Sequence, residues 1–159
     1  QPIELVTEDV TAALAEHFRQ GGVVVVFNAG FDLPLLEAEA VRHNVPTLGS
    51  RLDVEMGPII DPLVLDRALD RFRKGKRTLS DLANVYGVEL PSDTHQAHVD
   101  AELTLKVAEA LVAKFPVLAE MSAAEVNDFQ KTSHARWAED FEDYLRKRGR
   151  TTTISRSWF

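Results

Sequence analysis

Cysteine is absent from the 159 residues, which excludes a disulfide scaffold and a thiolate zinc site and makes a reducing, cytoplasmic setting the expectation. No apolar run approaches bilayer-spanning length, and no basic-then-apolar opening marks a signal peptide. The first residue is Gln1 rather than Met, so the chain is expected to begin inside a longer one. An excess of basic residues is also lacking. A formal charge of −7 argues against coating nucleic acid by bulk electrostatics, which takes clustered Lys and Arg. It leaves open a protein whose bound metal ions supply positive charge locally. There is no internal repeat and no low-complexity tract, and nothing indicates an oligomeric state. The length suits one ordinary domain with a real core.

Hydrophobic spacing predicts the elements. Thr7, Glu8 and Asp9 read as a helix start, with Val10, Ala13, Leu14 and Phe18 at helical spacing before Gly21 and Gly22. Val23 to Phe27 is apolar without alternation, which predicts a strand covered on both faces, as in a parallel sheet flanked by helices. Leu33, Leu36 and Ala40 form the inward stripe of a helix ending near Asn44, Val45 and Pro46. A second strand is expected around Pro58 to Ile60, then a helix through Leu63, Leu65, Ala68, Leu69 and Phe72. Thr78 to Tyr86 reads as a short helix stopped by Gly87. From about Ala97 to Phe115 a strong helix takes Ala101, Leu105, Ala108, Val112 and Phe115 as its apolar seam. Ser122 and Glu125 make a capping box that opens a long amphipathic helix with Val126, Phe129, Trp137, Phe141 and Tyr144 on one stripe. In the tail TTTISRSWF, Trp158 and Phe159 either dock on the body or fray. The chain thus divides into an α/β part, residues 1–118, and a C-terminal helix and tail, residues 119–159. Two strands make a marginal sheet, so partner strands are expected from upstream residues, another chain or segments that read as loops.

Five positions carry chemistry that a bare scaffold does not need: Asp32, Asp61, His95, His98 and Asp100. Asp32 falls at the carboxyl end of a central strand, where open α/β sheets build their sites; it would equally serve as a helix N-cap. Asp61 ends the other strand, where turn chemistry also explains it. On one continuous helix His95 and Asp100 would diverge by about 140°. They converge only if His95 precedes the helix, which Ser92, Asp93 and Thr94 favour. Asp100 then sits in the first turn, where the helix dipole favours its ionised form. A carboxylate beside a histidine suits metal-assisted hydrolysis. His98 reads as a surface or half-buried structural residue, and His17, His43 and His134 as structural. The basic run RFRKGKR, residues 71–77, is either a guide for a nucleic-acid strand, through Arg71, Arg73, Lys74, Lys76 and Arg77, or a solvated loop.

NAGFD at 28–32 resembles the second motif, Asn-x-x-Phe-Asp, and HQAHVD at 95–100 the third, His-x-Ala-x-x-Asp, of the DEDDh 3′→5′ exonucleases, relatives of the epsilon proofreading subunit of bacterial DNA polymerase III. Between them IIDPLVLDRAL and GKRTLSDLANVYGVEL are similar to the family's Asp-containing strand and its helix ending in Tyr-Gly. The resemblance covers residues 7 to about 115 and implies an RNase H-like fold. The helix and tail after it look like the stand-alone exonucleases of high-GC Gram-positive bacteria. By resemblance, Asp32 and Asp100 are metal ligands and His95 is the general base that activates water. Asn28 would steady the turn or touch the nucleotide, Phe31 would pack beneath the site, and Asp61 is a supporting acid. Two Mg²⁺ or Mn²⁺ ions about 4 Å apart would clamp the scissile phosphate at a DNA or RNA 3′ end, releasing nucleoside monophosphates. Without metal, crowded carboxylates are expected to show raised pKa values.

The family's first motif, an Asp-x-Glu on the first strand, is missing. Asp53-Val54-Glu55 follows the second motif in an expected loop and reads as a chance match. The fold expectation is therefore an RNase H-like domain without its first three strands, plus a long C-terminal helix. Alone it is expected to be inactive, completed by an upstream segment or a polymerase. The competing expectation is a non-catalytic fragment that binds nucleic acid or a partner. DNA against RNA, and proofreading against repair or turnover, are not distinguished.

Overall fold

Val24 and Val25 pair in parallel with Ile59 and Ile60, and this two-stranded sheet is the axis of the structure. The computed structural model describes residues 1–91 and 96–159. In order these form α1 (Ile3–Arg19), β1 (Val24–Val25), α2 (Ala29–Arg42), α3 (Leu48–Arg51), β2 (Ile59–Ile60), α4 (Pro62–Leu69), α5 (Leu79–Val85), α6 (Ala97–Lys114), a 3₁₀ turn (Pro116–Leu118) and α7 (Ala123–Lys147). The described residues are mostly helical. None of their helices is long and apolar enough to cross a membrane.

Strand side chains alternate between faces, and the core divides accordingly. Val24, Val26 and Ile59 pack with Ala15, Phe18, Leu33, Leu48 and Trp158 on one side. Phe27 and Ile60 pack with Leu65, Leu82, Leu103, Val107 and Leu111 on the other. The apolar run is thus covered on both faces, yet Val24 to Phe27 are only half-buried and Val23 is 40% exposed.

The cause is an open edge. Val24 and Val26 donate to Pro58 and Ile60 carbonyls, so strand alternation turns the N–H and C=O of Val25 to the opposite edge. The outer edge of β2 is closed differently. The Ile59 N–H donates to Asn127 Oδ1 at 3.0 Å and the Asp61 N–H to Gln130 Oε1 at 2.7 Å, while Gln130 Nε2 donates to the Ile59 carbonyl at 2.7 Å. Two amides three residues apart on α7 thus satisfy the backbone groups a third strand would otherwise take.

Several sequence expectations change. α1 starts at Ile3, and its buried face is Thr7, Thr11, Ala15 and Phe18 rather than Val10 and Ala13. Both threonine hydroxyls bond to the carbonyl one turn back, which lets polar residues occupy an apolar face. α4 ends at Leu69, leaving Phe72 87% exposed. The seam of α6 is rotated: Leu103, Thr104, Val107, Ala108 and Leu111 are buried, whereas Ala101, Leu105 and Val112 are exposed. The Ser122–Glu125 and Thr78–Asp81 capping boxes are both formed. The tail is docked: Ile154 N–H donates to Glu142 at 2.7 Å, Arg156 pairs with Glu142, and Trp158 is 5% exposed.

Candidate active site

Parallel pairing brings the carboxyl ends of β1 and β2 side by side, and Asp61 joins them. Its carboxylate accepts from the backbone N–H of Asn28 at 3.0 Å, Ala29 at 2.8 Å and Leu63 at 2.9 Å. It therefore caps its own helix and holds the turn that opens α2. Asn28 in that turn has φ of 64° and makes no side-chain cap, a left-handed conformation that asparagine tolerates better than most residues. Asp61 is 1% exposed. Burial pushes its carboxyl above the usual range, against the pull of the three N–H donors and of the Trp158 indole, whose N–H faces it without forming a hydrogen bond.

Gly30 follows in the same turn, and a Cβ there would press into the Trp158 carbonyl oxygen. The docked tail and the turn are thus fitted to each other, and glycine is what permits the approach.

Asp32 stands in the first turn of α2 and is exposed. Partial desolvation raises its pKa. The direction matches the expectation, but the cause is burial rather than repulsion by other carboxylates. Asp100 stands in the first turn of α6 and is half-buried; its N–H bonds to the Gln96 carbonyl, and Thr104 Oγ donates to its carbonyl. Both aspartates line one cleft of about 400 Å³, walled by Val25, Phe27, Leu79 and Thr104. The cleft opens along the free edge of β1.

The other singled-out residues fall as follows. His95 lies outside the described residues. Phe31 does not pack beneath the site: it is 61% exposed. It stands about 200° around the helix from Ala29 and 200° from Leu33, two of the α2 residues that face the core. His98 is exposed. Arg73 and Arg77 both clamp the fully buried Asp66, which also accepts from the Tyr86 hydroxyl at 2.6 Å. Arg77 donates further to the Asp70 and Arg73 carbonyls. These guanidinium groups tie the loop after α4 back to α4 itself, and Asp66 joins both to Tyr86 at the end of α5. Lys74 and Lys76 are exposed, and Arg71 pairs with Asp140. Asp53 and Glu55 lie in an irregular exposed segment, where Glu55 pairs with Lys131. The engagement of Asn127 and Gln130 with β2 was not read from sequence; polar residues at buried positions of an amphipathic helix were its only signal.

Aspartate oxygens suit a hard divalent cation, and two on one cleft are a partial ligand set. Among the described residues no group of three or more acids or histidines is placed to hold a metal.

No protein-family profile matches the chain, and no solved structure matches it significantly. Proteins described as DNA polymerase III PolC-type, from three strains of Streptococcus thermophilus, are 35% identical to it over 89 residues. The match takes in 56% of this chain and spans 6% of the length of those relatives. The chain is therefore similar, over just more than half its length, to a small part of a DNA polymerase III of the PolC type.

Proposed function

We propose that this chain carries the rear part of a metal-dependent 3′→5′ exonuclease site, with Asp32 and Asp100 as ligands to a shared divalent cation. The observation that supports it most is their common cleft: two carboxylates 68 positions apart in sequence open onto one space beside the sheet's carboxyl edge. Similarity to a DNA polymerase III of the PolC type supports a nucleic-acid context and agrees with the motif resemblance to the DEDDh exonucleases. Bound Mg²⁺ or Mn²⁺ would neutralise phosphate charge and lower the pKa of water. The chain's own groups would do the rest. Asp32 and Asp100 hold the cation, Asp61 fixes the turn that carries Asp32, and His95 accepts the proton from the attacking water.

On this reading the fold is RNase H-like and unfinished at β1. Further strands, from an upstream segment or a partner, would pair with Val25 and cover the exposed face of Ala101, Leu105 and Val112 on α6. The apolar surface of Val25, Ile60, Ala108 and Val112 runs along that edge and supports the reading, since an uncovered apolar strip beside a free strand edge is a surface proteins normally cover. The test is to incubate the chain, with and without its encoded upstream residues, with a 3′-labelled oligonucleotide and Mn²⁺. Release of mononucleotides by the extended chain, lost in Asp100→Ala, is expected; no release by either overturns the enzyme reading.

The partial ligand set favours a second reading for the chain alone, a module that binds nucleic acid or a partner without cutting it. Retention of oligonucleotide without release by the extended chain would establish it.

A further inference from the structure

A second cavity, of about 300 Å³, lies between α4 and α7 and shares no lining residue with the Asp32–Asp100 cleft. One wall is a ladder of aromatic rings on α7. Trp137 and Phe141 stand 5.4 Å apart at 14°, and Phe141 and Tyr144 6.2 Å apart at 13°. At these centroid distances near-parallel rings are laterally offset rather than face to face, so they overlap like shingles and leave ring surface uncovered. Tyr144 is 47% exposed, and Trp137 and Phe141 are half-buried.

Three arginines, two from α4 and the loop after it and one from α7 itself, make the rest of the lining cationic in a chain of net charge −7. Arg67, Arg71 and Arg136 all border the cavity. Arg71 is neutralised by Asp140 at 2.6 Å. Arg136 is exposed. Arg67 is the telling one: it lies 4.1 Å from the Trp137 ring centroid and is substantially desolvated. It feels the charges of Asp61 and Asp66, yet it hydrogen-bonds to neither, nor to any other described residue. A ring face attracts the charge of a guanidinium and accepts none of its five N–H donors. A half-buried arginine with its donors unused, at the mouth of an aromatic cavity, fits an anion brought in on a flat ring.

We propose that this cavity binds a nucleotide, its phosphate on Arg67 and Arg136 and its base against the Trp137, Phe141 and Tyr144 ladder. Guanidinium forks match phosphate oxygens, and every base offers a π-face to an aromatic platform. The volume is at the lower end of ligand cavities and suits one nucleotide rather than a longer stretch. A free mononucleotide and one residue of a single strand present the same chemistry. The site does not depend on the metal reading of the other cleft.

The test is a titration of the chain's tryptophan fluorescence in EDTA, which silences any metal site, with thymidine monophosphate, thymidine and an eight-residue oligothymidylate. Saturable quenching is expected, weakened at least tenfold in Arg67→Gln and in Arg136→Gln. Saturation by the monophosphate assigns a free nucleotide; saturation by the oligomer only, with the same losses, assigns a strand. Arg136 is exposed, so Arg136→Gln keeps the test decisive if Arg67→Gln does not fold. No saturation by either phosphate-bearing ligand, undiminished binding in Arg136→Gln, or thymidine binding as tightly as its monophosphate would overturn the proposal.

Discussion

The Asp61 carboxylate accepts from three backbone N–H groups on two segments, and all three lose their acceptor if it is removed. Asp61→Ala is therefore expected to cost about 3 kcal/mol or more, since a stranded buried donor costs roughly 1–3 kcal/mol; urea denaturation measures it. Trp158 is buried in the core on the other side of the same turn. Trp158→Ala should cost about 3–5 kcal/mol, and Gly30→Ala should loosen the tail because the new methyl meets the Trp158 carbonyl. Proteolysis near Ile154 reads both: faster cleavage than in wild type is expected, and unchanged rates would refute the fit. His134 reports the same docking through pH. Its Nε2 contacts the Ser155 carbonyl, and burial lowers its pKa. A histidine depressed in the folded state favours folding above its unfolded pKa of about 6.5, and that contribution is lost as pH falls towards its folded value. Melting temperature should thus drop more between pH 8 and pH 5 in wild type than in His134→Asn; equal drops would exclude the effect.

At the scale of elements, α7 is the one whose role the sequence conceals. Its aromatic stripe is legible from spacing, but the residues that engage the sheet are Asn127 and Gln130. A helix pattern treats such residues as solvent-facing, and only the tertiary structure shows that they answer unpaired backbone groups of β2. Gln130→Leu keeps the bulk, strands the Asp61 N–H and the Ile59 carbonyl, and should cost about 2–4 kcal/mol. Hydrogen exchange at Asp61 should accelerate with it, whereas native protection there would count against this edge-capping role. The seam of α6 is hidden for a different reason. Leu103, Val107 and Leu111 repeat every four residues, while Ala101, Leu105, Ala108 and Val112 repeat every three or four. A helix apolar around most of its circumference does not declare which face meets the core. Likewise Thr7 and Thr11 are buried because their hydroxyls bond within the helix, which apolar spacing does not register.

For the whole molecule, alternation of two short strands with helices is legible, because the runs VVVVF and PII are apolar and are followed by the polar turn residues Asn28 and Asp61. The pairing of those strands, and hence the nearness of Asn28 and Asp61, is not, because parallel register is set by helices packed on both faces. Asp32 and Asp100 were singled out by motif spacing, and the structure opens them onto one cleft. Whether they act together on a cation is the central claim, and Mn²⁺ binding followed by electron paramagnetic resonance tests it most directly, in wild type, Asp32→Asn, Asp100→Asn and the double variant. If both carboxylates hold one ion, each single substitution removes the bound signal, and the double variant loses no more than either. Binding that persists undiminished in either single variant, or losses that simply add, would contradict a shared ion.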